Sequence, residues 1–350
     1  MGCTHLIEDE DIDLKDPRVG IVGVGGAGVN CVTRLTDLGF RSGDRFLINT
    51  DIRSLQGRSV DRTLLIGRYK LQGRGAGGDP RVAEEGALSS INEIRDMVWN
   101  KDIVFLVLGL GGGTGTGASH VVAEAVKESG GIVVPICTLP FRSEGKERTA
   151  RAKAGLRRLY SVSNSVIVLD NNKLLKIEPC LPVYQAFSVM DQVIADTIMG
   201  ILGTFQESAY INIDFSDVKR VLSNGQQATI IYGESASNCP EVVVKDALRS
   251  PFLEIDYAGA GGALIKITGG HNLTIRAVNA IEEGIVSQLS DDAVVKIGLE
   301  IRDDFEDRVR VIGVLTNVHS EYIPEDDADL DIACSESVDD IFKDVSLRKA

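Results

Sequence analysis

Residues 103–117 read IVFLVLGLGGGTGTG, an unbroken apolar run that passes into a segment made only of glycine and threonine. Such a run, without polar alternation, fits a parallel strand covered on both faces. A strand of that kind needs helices on each side of its sheet, which leaves few architectures open to the chain. The glycine loop that follows stands where those architectures bind ligands, outside the strand's carboxyl end. The arrangement recurs near the N-terminus. Residues 19–24 (VGIVGV) read as a short buried strand, GVGGAG at 23–28 as a glycine turn, and an apolar-periodic helix follows to about Leu38. A third glycine stretch, QGRGAGGDP, spans 72–80.

Further strands are expected at 45–49, 132–136 and 165–169. Helices are expected from about Pro80 to Val98 and from the second glycine loop to about Glu128. Strands alternating with helices predict a doubly wound α/β domain over 19–182. Residues 183–206 contain no proline. Phe187, Met190, Ile194, Ile198, Ile201 and Phe205 recur at helical spacing and predict a long, largely buried central helix, set apart as 183–208. Beyond it the texture changes. Shorter strands are expected near 228–232, 263–268, 294–299 and 309–315, with helices near 240–249 and 272–288. These predict a second, α+β domain over 209–318.

A chain of 350 residues can build two such cores. With 43% hydrophobic and 25% charged residues it is neither disordered nor fibrous. No apolar run approaches the ~18 residues of a membrane span, and the acidic N-terminus has no apolar signal region. The net charge of −14 belongs mostly to two tails. Residues 319–350 hold 10 acidic and 3 basic side chains, and residues 1–18 hold 6 acidic and 2 basic. The body has no basic patch that would invite nucleic acid. Six cysteines (Cys3, Cys31, Cys137, Cys180, Cys239, Cys334) are scattered singly, without CxxC pairs or metal-ligand spacing. Reduced thiols in a cytosolic protein are the expectation.

The first loop fits GxGxxG between a strand and a helix, which suits a dinucleotide or another phosphate ligand, and Asp51 follows at a suitable distance. The second loop, Gly111, Gly112, Gly113, Thr114, Gly115, Thr116 and Gly117, narrows the choice. Glycine lets backbone N–H groups close on an anion, the helix N-terminus adds partial positive charge, and the two threonines supply hydroxyls. Seven such residues between strand and helix have no packing purpose legible in the sequence. A dinucleotide enzyme needs one glycine loop. Two, with a third at 73–78, look built for a triphosphate. A P-loop is absent, because the only Gly-Lys pair, Gly145-Lys146, is followed by Glu147.

GGGTGTG at 111–117 is the signature of the tubulin/FtsZ family, which the chain resembles over roughly residues 19–318. GVGGAGVN (23–30), NTD (49–51), GAGGDP (75–80), PFRSEGKER (140–148), DNNKLL (170–175), AFSVMD (186–191) and NIDFSDV (212–218) match it in the family's order. The resemblance implies the tubulin/FtsZ fold and a GTP/GDP site. That site would be formed by Gly25, Gly26, Ala27, Gly28, Val29, Asn30, Asp51, Gly75, Ala76, Gly77, the 111–117 loop, Pro140, Glu144, Arg148, Asn171, Phe187 and Asp191. In the family the guanine stacks on the Phe187 position, and the Asp191 carboxylate accepts from its N1–H and 2-amino group. Adenine lacks that donor pair and would leave the carboxylate unpaired. Asn171 corresponds to a further base contact, Asn30 closes the first loop near base and sugar, and Glu144 and Arg148 match sugar and sugar–phosphate contacts. Taken alone, Phe187 reads as an ordinary core aromatic, and Glu144 with Arg148 as an exposed i,i+4 ion pair.

Asn212, Asp214 and Asp217 follow the long helix. At about 1.5 Å per residue, the helix from Asp191 to residue 207 carries the chain roughly 24 Å from the base, too far to reach the nucleotide of the same chain. The resemblance implies that they enter the next subunit's site and polarise the water that attacks the γ-phosphate. Taken alone, NIDFSDV reads as a solvated, acid-capped turn starting a helix. The same resemblance implies Mg²⁺ held mainly by phosphate oxygens and water, with no protein metal-ligand set. It also implies head-to-tail homopolymers, a division ring in the cytoplasm at the division site, and membrane anchoring through an adaptor rather than direct insertion.

The acidic tail 319–350 carries Ile341, Phe342, Val345 and Leu347, which read either as an adaptor-docking peptide or as part of a solvating tail. Ala27, Val29, Ser143, Asp170 and Gln226-Gln227 depart from the common bacterial pattern and bring the chain nearer to archaeal members. Two other readings stand beside this one. A paralogue with a shape or scaffold role and weak polymerisation fits the same motifs. An NAD-dependent enzyme rests on GxGxxG alone and lacks a His/Asp arrangement, since His5, His120, His271 and His319 are scattered.

Overall fold

Alternate residues of a strand face opposite sides of its sheet. In the computed structural model Ile103, Phe105 and Val107 enter one core, and Val104, Leu106 and Leu108 enter another. The structure describes residues 17–174, 182–203, 210–223, 227–236, 239–249, 255–257 and 259–320. Phe205, Gln226, Cys3, Cys180, Cys334 and the C-terminal peptide lie outside the described residues, as does nearly all of the N-terminal tail.

The strands are β1 (Val19–Val24), β2 (Asp44–Asn49), β3 (Arg62–Leu65), β4 (Ile103–Gly109), β5 (Ile132–Leu139), β6 (Val166–Asp170), β7 (Gln227–Ser235), β8 (Ile255–Asp256), β9 (Gly262–Gly269), β10 (Val294–Ile301), β11 (Val309–Thr316) and β12 (His319–Ser320). The helices are α1 (Gly25–Asp37), α2 (Ile52–Leu55), α3 (Arg68–Leu71), α4 (Pro80–Ser89), α5 (Ile91–Val98), α6 (Thr114–Glu128), α7 (Lys146–Val162), α8 (Val183–Leu202), α9 (Phe215–Ser223), α10 (Pro240–Leu248) and α11 (Ile275–Val286).

Among the described residues, ten strands form one sheet in the order β10-β9-β11-β7-β6-β5-β4-β1-β2-β3. The β3-to-β6 half is wholly parallel. A short parallel pairing of β6 with β7, at Val166–Gln227 and Ile167–Ala228, joins it to a mixed half in which β11 runs antiparallel to both β7 and β9. On one face of the parallel half, α1 and α8 bury Val29, Val32, Leu35, Met190, Ile194, Ile198 and Ile201. On the other face α4 to α7 bury Ala87, Ile94, Val122, Leu156 and neighbours. A third core, with Val243, Ala247, Ile281 and Ile285, backs the mixed half. The architecture is the expected α/β sheet with a long central helix and an α+β second half.

Three local expectations need correction. The helix expected over 80–98 is two helices, broken at Ser90, whose backbone leaves helical geometry at ψ 24°. The Ser89 hydroxyl there bonds back to the Gly86 carbonyl, a side-chain competition typical of serine at helix ends. β5 continues to Leu139, three residues past the expected end, because its carboxyl end still pairs with β4 and β6. Phe187 does not join the buried stripe of α8 and is 44% exposed. It packs edge-on against Phe141, with ring centroids 5.7 Å apart.

Candidate functional site

The carboxyl ends of β1, β4, β5 and β6 open into a cleft of about 390 Å³ beside α8. Gly26, Ala27, Asn30 and Cys31 line it from the turn and first helix after β1. Gly109 to Thr114 and Gly115 line it from the end of β4, without Gly111. Thr138, Pro140, Glu144 and Arg148 come from the end of β5 and beyond, Asn171 follows β6, and Phe187, Met190, Asp191 and Ile194 come from α8. A doubly wound sheet directs its strand ends and helix N-termini to one rim, so residues far apart in sequence converge there.

The two glycine loops touch each other. A Cβ on Gly25, whose φ is +73°, would lie 2.8 Å from the Gly115 nitrogen. Not every glycine faces the cleft, which corrects the expectation that the seven-residue loop has no packing purpose. A Cβ on Gly117 would lie 1.9 Å from the Pro80 carbonyl oxygen, one on Gly115 2.4 Å from the Gly109 oxygen, and one on Gly28 2.2 Å from the Val107 oxygen. Gly26 and Gly112 are different. Both line the cleft, and a Cβ there meets nothing within 4 Å. The threonines also divide. Thr114 lines the cleft and shares a 2.7 Å hydroxyl contact with Thr50. Thr116 is buried, and its Oγ1 accepts from the Gly111 N–H at 2.8 Å, so it braces the loop.

Ala76 of the third glycine loop lies behind the second. A Cβ on Gly113 would lie 3.0 Å from its methyl group. The Gly75 N–H donates to the Thr50 carbonyl. The Asp51 side chain caps α2 through the Arg53 N–H at 2.9 Å, and its backbone forms an isolated antiparallel β-bridge with that of Arg74. Asp51, Gly75, Ala76 and Gly77 thus border the site without lining the cleft. Gly25, Gly28, Val29, Gly111, Thr116 and Gly117 do not line it either, and the Val29 side chain belongs to the core.

The polar side chains at the rim are partly prearranged. Glu144 Oε2 lies 3.0 Å from Arg148 Nη1, and its other oxygen accepts from the Phe141 N–H at 2.8 Å. Asp170 accepts from the Asn172 backbone N–H at 2.9 Å and from its Nδ2 at 2.6 Å, stabilising the turn that presents Asn171. Asn171 is buried, and its Oδ1 accepts no hydrogen bond among the described residues. A buried, unpartnered acceptor on a cleft wall suits a ligand donor. Burial pushes the Asp191 carboxyl up to about 6, with Arg34 opposing the shift. The same burial pushes the Cys31 thiol well up, so that it remains a neutral thiol.

Asn212, Asp214 and Asp217 do not meet this cleft. Asn212 and Asp214 are exposed, and Asp217 pairs with Lys296 of β10 at 2.9 Å. Six strand spacings separate β10 from β4, about 29 Å along the sheet. At its other end α9 meets the amino end of β6, where the Ser165 hydroxyl donates to the Leu222 carbonyl at 2.5 Å. Asn171 stands at the carboxyl end of the same strand.

Sequence reasoning missed Cys31, residues 107–110, Thr138, Met190 and Ile194 as cleft-lining residues. Thr138 was open to the rule that ligands meet strand carboxyl ends, but the expected strand stopped short of it. Among the described residues, no group of three or more His, Cys, Asp and Glu could hold a metal ion, and no helix is long and apolar enough to cross a membrane.

A parallel sheet whose strand ends carry several glycine loops, with a helix flank bearing an aromatic and a half-buried carboxylate, defines a nucleotide-binding protein of the α/β class. The chain belongs to the tubulin/FtsZ family. Residues 18–179 match the family's GTPase domain, and residues 226–319 match the FtsZ family C-terminal domain. It is 42% identical over 315 residues to "Cell division protein FtsZ 2" of Haloferax volcanii, covering 90% of this chain and 78% of that one. It is 41% identical over 321 residues to "Cell division protein FtsZ 2" of Methanocaldococcus jannaschii, covering 91% and 83%. Among solved structures, "FtsZ dimer, empty (M. jannaschii)" superposes with a TM-score of 0.82 at 39% identity over 87% of this chain and 89% of that one. "CetZ2 from Haloferax volcanii - GTPgS bound protofilament" superposes with a TM-score of 0.76 at 23% identity, covering 87% and 95%, a likeness of fold.

Proposed function

We propose that this chain binds and hydrolyses GTP and polymerises head to tail into filaments of a division ring in the cytoplasm. Guanine stacks on Phe187 and donates to Asp191 and Asn171. Glu144, Arg148 and Asn30 hold the sugar, and the loop amides with Thr114 hold the phosphates. The site fits this ligand: Gly26 and Gly112 leave open backbone on the wall, and Asn171 Oδ1 awaits a donor. Mg²⁺ would ride on the phosphate oxygens and water.

The observation that carries the reading is the separation of the two halves of the chemistry. The loops that suit a triphosphate line one end of the sheet. The acids that suit water activation lie at the start of α9 beside the edge strand β10, and the far end of that helix meets the opposite end of β6. Asn212, Asp214 and Asp217 then act on the nucleotide of the next subunit, by positioning and electrostatics. Such an interface joins two different faces and builds an open filament. The relatives named as cell division proteins, and the solved dimer, support self-association. Anchoring through an adaptor rests on the acidic C-terminal tail, beyond the described residues.

Light scattering and phosphate release, with GTP, ATP or NAD added, test the proposal. Scattering with GTP alone and hydrolysis that rises with protein concentration are expected. Asp217→Ala should still bind GTP and form longer-lived polymers that hydrolyse little. An assembly-blocked variant that retains full GTPase activity overturns the shared site, and weak polymerisation with slow hydrolysis favours the scaffold paralogue.

A further inference from the structure

The segment that carries the three acid-site residues is held by the edge strand β10 at successive points. The Tyr210 and Ile211 N–H groups donate to the Leu299 carbonyl at 2.7 and 3.1 Å, and the Leu299 N–H donates back to Ile211 at 3.1 Å. Next along the strand, Gly298 faces the segment at ordinary contact distance. A Cβ there would lie 3.4 Å from the Ile211 oxygen and 3.5 Å from Ile213 Cδ1. Two residues further, on the same face of the strand, Lys296 Nζ lies 2.9 Å from the Asp217 carboxylate. The remaining charged side chain of that face, Glu300, is taken by Lys266 at 3.0 Å. The backbone bridge sets where the segment lies, and the ion pair sets where its last carboxylate points.

Lys296 also changes the charge of the approaching surface. Asp214 and Asp217 would bring two negative charges toward a triphosphate, and like charges at close range repel. A lysine bonded to one of them offsets part of that repulsion. It also removes rotational freedom from a side chain that is otherwise about one-third exposed, at 31%.

We propose that Lys296 is a positioning residue for hydrolysis, holding Asp217 in the posture it needs in the neighbouring subunit's cleft. This rests on the shared-site reading above. A carboxylate misplaced by about 1 Å can lose on the order of a hundredfold in rate, so an effect on turnover rather than on nucleotide binding follows.

The test uses the full chain and four variants: Lys296→Met, Lys296→Arg, Asp217→Asn and the double variant Asp217→Asn with Lys296→Met. Phosphate release per sedimented subunit at saturating GTP, fluorescent GTP affinity of the unassembled protein, and thermal unfolding are measured. Lys296→Met should lower turnover roughly tenfold or more, with GTP affinity and unfolding temperature unchanged. Lys296→Arg should restore turnover to within about twofold. In the Asp217→Asn background, Lys296→Met should cost nothing further. Wild-type turnover in Lys296→Met, with turnover lost in Asp217→Asn, overturns this inference and leaves the shared site standing. Wild-type turnover in Asp217→Asn overturns the shared site itself. A further loss in the double variant means that Lys296 acts other than through Asp217. Loss of assembly in Lys296→Met, read as failure to sediment with GTP, makes it an interface contact. Either result overturns the proposal.

Discussion

The hydroxyl oxygens of Thr50 and Thr114 lie 2.7 Å apart and join the end of β2 to the first residue of α6. Thr50 is fully buried, whereas Thr114 faces the cleft. One buried hydroxyl therefore orients another that is available to a ligand. Thr50→Val keeps the shape and removes the partner. It should cost about 1 kcal/mol of stability and weaken GTP binding severalfold. Thermal unfolding and nucleotide titration check both, and unchanged binding would show that Thr114 orients itself.

Asp191 faces two opposing demands. Burial raises its folded-state pKa from 3.8 to about 6, against the pull of Arg34. The fold thus favours the neutral acid. That contribution is complete below the ordinary value and disappears as pH rises through about 6. Above pH 6, Asp191→Asn should stabilise the nucleotide-free protein by about 1–2 kcal/mol, after allowance for partial exposure. The same variant should lose its preference for GTP over ATP. In the wild type, GTP affinity should fall as pH drops below about 6, because the protonated acid no longer accepts two donors. A binding titration from pH 5 to 8 reads the sign directly.

Gly112 and Gly117 belong to one loop and should respond in opposite ways. A methyl group on Gly117 collides with the Pro80 carbonyl, whereas one on Gly112 enters open cleft. Gly117→Ala should destabilise the fold by about 2 kcal/mol or more through the shift it forces between α6 and α4. Gly112→Ala should leave stability within about 0.5 kcal/mol and weaken nucleotide binding. Paired denaturation and GTP-binding curves separate the two roles.

Glu84 ties three helices together. Its carboxylate accepts from Arg158 at 2.6 and 3.0 Å and lies 3.2 Å from His120 Nε2. Burial alone would raise its pKa, but the bonds from His120 and Arg158 prevail and hold it at about 2, below the ordinary 4.5. The stabilisation is complete above the ordinary value and is lost as pH falls toward 2. Glu84→Gln should therefore cost about 1–2 kcal/mol at pH 7, after screening at the exposed guanidinium, and much less near pH 2. Urea unfolding at both pH values tests it.

Much of the site was open to sequence reasoning because it is built from local rules. Glycines between an apolar run and a helix mark a phosphate loop wherever the strands lie. Asn171 and Asp191, twenty positions apart, line the same cleft. Phe187 was ambiguous, since spacing alone put it on the buried stripe of α8. The structure leaves it 44% exposed, with one edge packed against Phe141 from the distant turn after β5.

The sequence by itself determined the parallel sheet, the glycine loops and the long helix, because periodicity and backbone freedom are properties of neighbouring residues. Only the tertiary structure decided which glycines pack and which face the cleft, since that turns on atoms such as the Pro80 oxygen more than thirty positions away. It alone paired Asp217 with Lys296, because strand order, not chain distance, brings α9 against β10.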